Sequence, residues 1–143
     1  MNFYSTITSM RSPGTGLGTI YLFPWSICIV FTLLILVLPV LTGATGILVS
    51  DICFNTIYMD PAFGGDPVLY QHFFWVFGHP EVYILIVPAF GVLSHVLAGV
   101  AGSIIIYGYP SMVLAMGCIS ILGSLVWGHH IYTVGLEADT RSY

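Results

Sequence analysis

The sequence predicts an all-α integral membrane protein with three transmembrane helices, because its composition and its apolar runs both require a lipid surrounding. Hydrophobic residues make up 57% of the 143 positions and charged residues only 6%, and the mean hydropathy is +0.98. A water-soluble domain carries about a quarter of its residues as charges. This chain has two basic residues, Arg11 and Arg141. Lipid or other membrane subunits must therefore cover most of its surface.

Three long apolar runs define the predicted helices. About 20 apolar residues suffice to cross a bilayer, and each run is at least that long. A polar N-terminal segment precedes the runs and a polar tail follows them, so the prediction is a single three-helix membrane piece at residues 20–143. The predicted ranges are 1–19 for the polar segment and about 20–50, 68–100 and 110–134 for the helices.

The first run contains a proline and is followed by an acid. We expect Pro39 to bend the helix and Asp51 to mark its end. The next residues, 52–67, form a loop rich in Asp, Gly and Pro, which is typical of turns. The six acids of the chain are scattered without forming a run. The net charge of −4 therefore indicates no nucleic-acid partner.

The second run is interrupted by three polar residues, His79, Glu81 and Tyr83. Such side chains are costly at membrane depth unless they are paired or face a cavity, which makes them functional candidates. On a helix, His79 and Tyr83 share a face because they are four residues apart, whereas Glu81 lies about 200° round from His79. The alternative is a purely structural role, in which neighbouring helices satisfy these polar groups. The occurrence of three such residues within five positions favours a functional site.

The third run ends with the pair His129 and His130, just after Trp127. Adjacent residues of a helix point about 100° apart, so both rings could reach one metal from the side, with His79 as the third ligand. Three imidazoles suit copper, zinc, iron or nickel, and a set without a carboxylate favours copper over magnesium or calcium. The alternative is an interfacial pair that hydrogen-bonds lipid headgroups.

Two further histidines carry weaker signals. His72 lies near the start of the second helix, where an interfacial histidine without a functional role is the favoured interpretation. Ser94 and His95 lie near the far end of that helix, three turns beyond Tyr83. They fit either a polar track or an ordinary surface pair.

Two long strings carry a family resemblance. Together with shorter matches upstream, they make residues 10–143 closely similar to subunit I of the cytochrome c oxidases, in the haem–copper oxidase family. The strings are Phe63-Gly-Gly-Asp-Pro-Val-Leu-Tyr-Gln-His-Phe-Phe-Trp-Val-Phe-Gly-His-Pro-Glu-Val-Tyr83 and Val126-Trp-Gly-His-His-Ile-Tyr-Thr-Val-Gly-Leu-Glu-Ala-Asp-Thr-Arg141.

The resemblance implies a copper ion beside a haem. His79, His129 and His130 would ligate the copper of the binuclear centre, and Trp75 and Val82 would line that centre. The adjacent haem, of the a3 type, would take its ligand from another chain. Among the smaller departures, glycine stands at position 128, where the family usually has alanine.

The resemblance also implies a proton path. Tyr83 would be cross-linked to His79 and would supply an electron and a proton when oxygen is split. Glu81 would be the proton-gating carboxylate. Ser94 and His95 would lie near a second path below Tyr83.

The similar region matches only the fifth to seventh helices of a subunit with twelve. The haem ligands and the entry residues of the proton paths lie in the unmatched helices. The expected partners are therefore other fragments of subunit I, subunits II and III, cytochrome c and the bilayer. We expect a separately made piece of a split subunit, favoured by Met1 and its short polar leader, over a fragment of a longer product.

The leading hypothesis is the copper-binding piece of a proton-pumping terminal oxidase that reduces O2 to water and is inactive alone. The expected location is the mitochondrial inner membrane, with a bacterial plasma membrane as the alternative. A quinol oxidase shares these motifs. A structural or assembly subunit without catalytic chemistry and a small proton-conducting transporter are the competing classes.

Overall fold

The computed structural model describes residues 2–143, all of whose regular elements are helical. The α-helices are α1 (Asn2–Ser9), α2 (Leu22–Phe54), α3 (Pro67–Val100), α4 (Tyr109–Gly123) and α5 (Ala138–Ser142), and two 3₁₀ helices occupy Pro61–Phe63 and Trp127–Ile131.

Three segments are long and apolar enough to cross a membrane, which confirms the predicted all-α membrane class. They are Leu22–Phe54, Pro67–Val100 and Tyr109–Ile131, of 33, 34 and 23 residues. Large apolar side chains lie exposed along them, for example Ile35, Leu85 and Leu114, each more than 60% exposed. Such a surface requires lipid or further helices around it.

The chain forms two compact units, of which the first contains residues 2–34 and 82–121. In this unit α2 and α3 approach closely at Gly91. A Cβ atom added there would lie 2.7 Å from Ser26 Oγ and 3.1 Å from the Phe23 Cα. Ser26 is fully buried and donates its hydroxyl to the Phe23 carbonyl at 2.6 Å. Small residues at such a crossing are the usual way in which membrane helices pack.

The second unit contains residues 35–81 and 122–143. Its loop between α2 and α3 is organised by carboxylates. Asp51 accepts the Thr56 hydroxyl and the backbone N–H groups of Tyr58 and Met59, the last two at 3.2 and 3.0 Å. Asp66 accepts the Val68 N–H at 2.9 Å and so caps the start of α3. These bonds satisfy orphan backbone donors where the helices end and begin.

The first helix extends further than expected, and the polar leader is partly helical. Asp51 does not end α2, which continues to Phe54, because the carboxylate is satisfied by the loop that follows. In α1, Thr6 and Thr8 donate their hydroxyls to the Asn2 and Tyr4 carbonyls, both at 2.8 Å. This back-bonding lets the hydroxyl side chains remain within a helix.

The third helix departs from the expected range of 110–134. The α-helix ends at Gly123, and after a short break the chain resumes as the 3₁₀ helix Trp127–Ile131. Val126 has φ −110° and ψ 15°, outside the α-helical region. Glycine has low helix propensity, and Gly123 lies at the break while Gly128 lies beyond it. The two metal-candidate histidines therefore lie on a 3₁₀ helix, not on an α-helix. The division into a polar leader and one membrane piece stays a prediction.

Candidate metal centre

One face of α3 carries three aromatic side chains at helical spacing: His72, Trp75 and His79. Positions i, i+3 and i+7 fall on one side of an α-helix. His79 is buried, with 7% of its surface exposed, and the other two are half-buried. We call this set the α3 stripe. It lies entirely within the second unit.

The 3₁₀ helix Trp127–Ile131, here called the histidine segment, belongs to the same unit. A 3₁₀ helix has about three residues per turn, so side chains at i and i+3 are eclipsed. Trp127 and His130 therefore point to the same side of the segment, and both contact the α3 stripe. Ile131 is 2% exposed and buries the end of the segment.

Three imidazole rings meet where the segment and the stripe adjoin. His79 Nδ1 lies 3.0 Å from His130 Nε2. The ring centroid of His129 lies 4.7 Å from that of His79 and 4.1 Å from that of His130. One nitrogen from each ring can be chosen so that all three lie within 4.8 Å of one another. The Trp75 indole stacks on His130 with centroids 4.0 Å apart and planes 4° from parallel.

The tautomer of His129 is fixed by its surroundings. Its Nδ1 contacts the Val126 carbonyl oxygen. A carbonyl can only accept, so Nδ1 is the donor of this bond, and in the neutral ring the lone pair then lies on Nε2. A ring nitrogen bound to a backbone carbonyl in this way is the usual second contact of a metal-ligating histidine, because it orients the ring.

The donor set fits a transition-metal ion. With metal–nitrogen bonds of about 2 Å, the 3.0 Å separation of His79 Nδ1 and His130 Nε2 corresponds to two ligands at roughly a right angle. His79 is buried, whereas His129 and His130 are exposed. Three imidazoles without a carboxylate suit copper, zinc, iron or nickel.

The structure also brings His72 to this site, which the sequence interpretation missed. Trp127 Nε1 donates to His72 Nδ1 at 3.3 Å. The sequence did contain an indication that His72 belongs to the site, because His72, Trp75 and His79 are spaced along one face of a helix. Its partner could not be found there, because Trp127 reaches His72 only through the 3₁₀ geometry of the segment.

The remaining site candidates are placed as follows. Glu81 and Tyr83 are half-buried on α3, two and four residues after His79. Val82 is 53% exposed. Trp75, expected beside the centre, stacks on one of its rings. The roles assigned to these residues stay predictions.

Ser94 and His95 are engaged in bonds within the first unit. The Ser94 hydroxyl donates to the Phe90 carbonyl of its own helix at 2.7 Å. His95 Nε2 accepts the backbone N–H of Phe23 at 3.1 Å, which satisfies one of the orphan donors in the first turn of α2. Tyr21 contacts the His95 ring edge-to-face at 5.5 Å. Their part in a proton path stays a prediction.

Comparison with known proteins agrees with the geometry. Residues 1–143 match the family described as "Cytochrome C and Quinol oxidase polypeptide I". The chain belongs to this family. The match confirms the resemblance carried by the two long histidine-containing strings.

Similar proteins occur in Plasmodium species and in Cereibacter sphaeroides. The chain is 56% identical over 144 residues to a cytochrome c oxidase subunit 1 of Plasmodium berghei, covering all of this chain and 30% of that protein. It is 56% identical to the protein of the same name from Plasmodium falciparum, again over 30% of its length. Against the Cereibacter sphaeroides protein it is 50% identical over 143 residues, all of this chain and 25% of that protein. The chain thus spans less than a third of each of these relatives.

Proposed function

We propose that this chain supplies the copper ligands of a terminal respiratory oxidase that reduces O2 to water and pumps protons. The observation that carries the proposal is the convergence of His79, His129 and His130, one nitrogen from each within 4.8 Å. Family membership over residues 1–143 supports it, as does the name cytochrome c oxidase subunit 1 borne by the relatives.

His79 Nδ1 and the Nε2 atoms of His129 and His130 would hold the ion. When bound there, copper would supply one-electron redox chemistry next to the oxygen-binding haem. The protein itself contributes orientation. The carbonyl of Val126 fixes the His129 tautomer, and the indole of Trp75 holds the His130 ring by stacking. Both contacts are made by the protein's own groups, so they orient the two imidazole rings before a metal binds.

Tyr83 and Glu81 are the proposed proton carriers. Tyr83 follows His79 by four residues on the continuous helix α3, the spacing at which side chains of a helix are neighbours. A covalent bond to His79 would hold its hydroxyl ready to release a proton. Glu81 is half-buried in the same helix, and a carboxyl group at membrane depth suits proton transfer. Ser94 and His95 are proposed for a second path.

We propose that the haem of a3 type, its histidine ligands and the remaining subunit I helices are supplied by other parts of the assembled oxidase. We propose assembly with them, with oxidase subunits II and III, and with cytochrome c as electron donor. A multi-pass location in the mitochondrial inner membrane is proposed, supported by the Plasmodium relatives. The Cereibacter relative keeps a bacterial membrane as the alternative, and the family description keeps quinol as an alternative donor.

The deciding experiment is metal analysis of the intact complex. We expect His129→Ala to remove one copper per complex and to lower turnover by more than about 100-fold, since the loss of a ligand exceeds the loss of its supporting contacts. His95→Gln is the matched control, because His95 lies outside the cluster, and it should keep its copper. Equal copper in both variants and in the wild type would refute the metal site and favour a structural subunit.

Glu81→Gln tests the proton role separately. The change keeps the size of the side chain and removes its titratable proton, so we expect pumping and turnover to fall while copper content stays at the wild-type level. Unchanged pumping would remove Glu81 from the proposed path.

Mass spectrometry of peptides spanning His79 and Tyr83 should detect their cross-link, and its absence would overturn the role given to Tyr83.

A further inference from the structure

His72 occupies a place on α3 that no part of the proposed copper chemistry uses. It lies seven residues, or two turns, before His79 on the α3 stripe. It is not one of the three residues whose nitrogens converge within 4.8 Å. Its Nδ1 instead accepts the indole N–H of Trp127 at 3.3 Å. His72 is therefore bonded to the histidine segment without being a ligand candidate.

The hydrogen bond joins the two elements that carry the ligands. Trp127 begins the histidine segment, and His130 lies one 3₁₀ turn later on the same side. Along this side the segment meets α3 at three points in register, Trp127 on His72, Trp75 on His130, and His130 beside His79. The first contact is a directional bond between non-ligands, and the other two involve a ligand ring.

The segment is not held there by close packing alone. A cavity of about 290 Å³ opens beside it, lined among others by His72, Trp127, His129 and Tyr132. Gly128 has no neighbouring atom within 4 Å of where a Cβ would stand. Because open space borders the segment on this side, its N-terminal turn is free to shift when a specific bond is lost. Ile131 anchors only the opposite end.

We propose that His72 is a positioning residue for the copper site: its bond to Trp127 fixes the histidine segment on α3 so that His129 and His130 converge with His79. The inference rests on the proposed function, because it concerns the same copper. Second contacts of this kind typically change metal affinity by 10–100-fold.

The test uses the intact complex and follows copper release to a chelator. We expect His72→Leu to speed the loss of copper by about 10-fold or more, with haem content and assembly unchanged. His72→Asn should restore retention, because its amide oxygen can accept the indole N–H in place of Nδ1. Gln71→Leu, the adjacent polar-to-apolar change, points about 100° away on the helix and should release copper at the wild-type rate.

Trp127→Phe removes the donor and keeps an aromatic ring, so it tests the same bond from the other side. It should match His72→Leu, and the double variant should be no worse than either single variant. Wild-type copper retention in His72→Leu or Trp127→Phe, or failure of His72→Asn to rescue, would overturn the inference. A complex whose copper is indifferent to His129→Ala would instead refute the proposed function, so the two failures are distinguishable.

Discussion

The three clustered histidines of the second unit and His95 of the first unit use their ring nitrogens in opposite ways. In the second unit, His79 and His130 turn nitrogens toward each other at 3.0 Å, and His129 keeps Nε2 available because Nδ1 contacts a carbonyl. In the first unit, His95 Nε2 already accepts the Phe23 N–H at 3.1 Å. The comparison teaches that a histidine in an apolar helix is not sufficient evidence for a ligand. What distinguishes a candidate ligand is a nitrogen that faces the nitrogens of other imidazole rings and not a backbone donor.

The two units also differ in how closely their residues are packed. The first unit depends on a close helix crossing, since Gly91 leaves no room for a Cβ beside Ser26 and Phe23. The second unit tolerates open space beside the histidine segment. Substitutions that disturb the crossing at Gly91 should therefore change stability, and substitutions that break the contacts of the histidine segment should change the metal.

The largest effect on stability is expected from Gly91→Ala. The new methyl group would lie 2.7 Å from Ser26 Oγ and 3.1 Å from the backbone of Phe23, and overpacking of this kind costs about 1–3 kcal/mol. The thermal midpoint of the purified complex should fall while copper content is unchanged. Gly99→Ala is the matched control on the same helix, with no atom within 4 Å, and should keep or slightly raise the midpoint. Equal midpoints for both variants would contradict the close crossing.

A smaller effect is expected from His95→Leu, which removes the acceptor for the Phe23 N–H. Loss of one hydrogen bond costs about 0.5–1.5 kcal/mol, so the midpoint should fall slightly. Ser94→Ala is the control for stability alone, because the Ser94 hydroxyl donates to the Phe90 carbonyl of its own helix. A loss of turnover in His95→Leu far larger than the loss of stability would support the proton-path role proposed for His95, whereas turnover that falls only in proportion to stability would limit His95 to its bond with Phe23.

The smallest effect is expected from Gly128→Ala, which adds one methyl group to the histidine segment. No atom lies within 4 Å of the new Cβ, and such a change at a compatible position stabilises by about 0.4–1 kcal/mol through the unfolded chain. Copper content and turnover should stay at wild-type values. A loss of copper in this variant would show that the histidine segment is packed more tightly than the structure describes.

The spans were predictable from the sequence because length and apolarity alone identify membrane helices. The three-histidine cluster was also predictable, since polar residues at membrane depth stand out. The break after Gly123 was not, because glycine occurs often within transmembrane helices and only tertiary contacts decide whether it ends one. The same holds for α2, whose extension past Asp51 depends on Thr56 and the backbone of the following loop.

The role of His72 was hidden for a further physical reason. Its spacing to Trp75 and His79 was visible, but the partner Trp127 lies 55 residues away and was expected on an α-helix. On the observed 3₁₀ helix, Trp127 and His130 are eclipsed, and both can reach one face of α3. The contact between Trp127 and His72 depends on whether a five-residue segment is a 3₁₀ helix or an α-helix. The spacing of apolar residues in the sequence does not predict this difference.

The most direct test of the shared metal site is copper X-ray absorption on the intact complex, recorded for the wild type and for His130→Ala and compared as a difference. His130 is the right position because its Nε2 faces His79 Nδ1. We expect the difference to show the loss of a copper ion surrounded by imidazole nitrogens at about 2 Å. Identical spectra from the two proteins would contradict the assignment of these three histidines to copper.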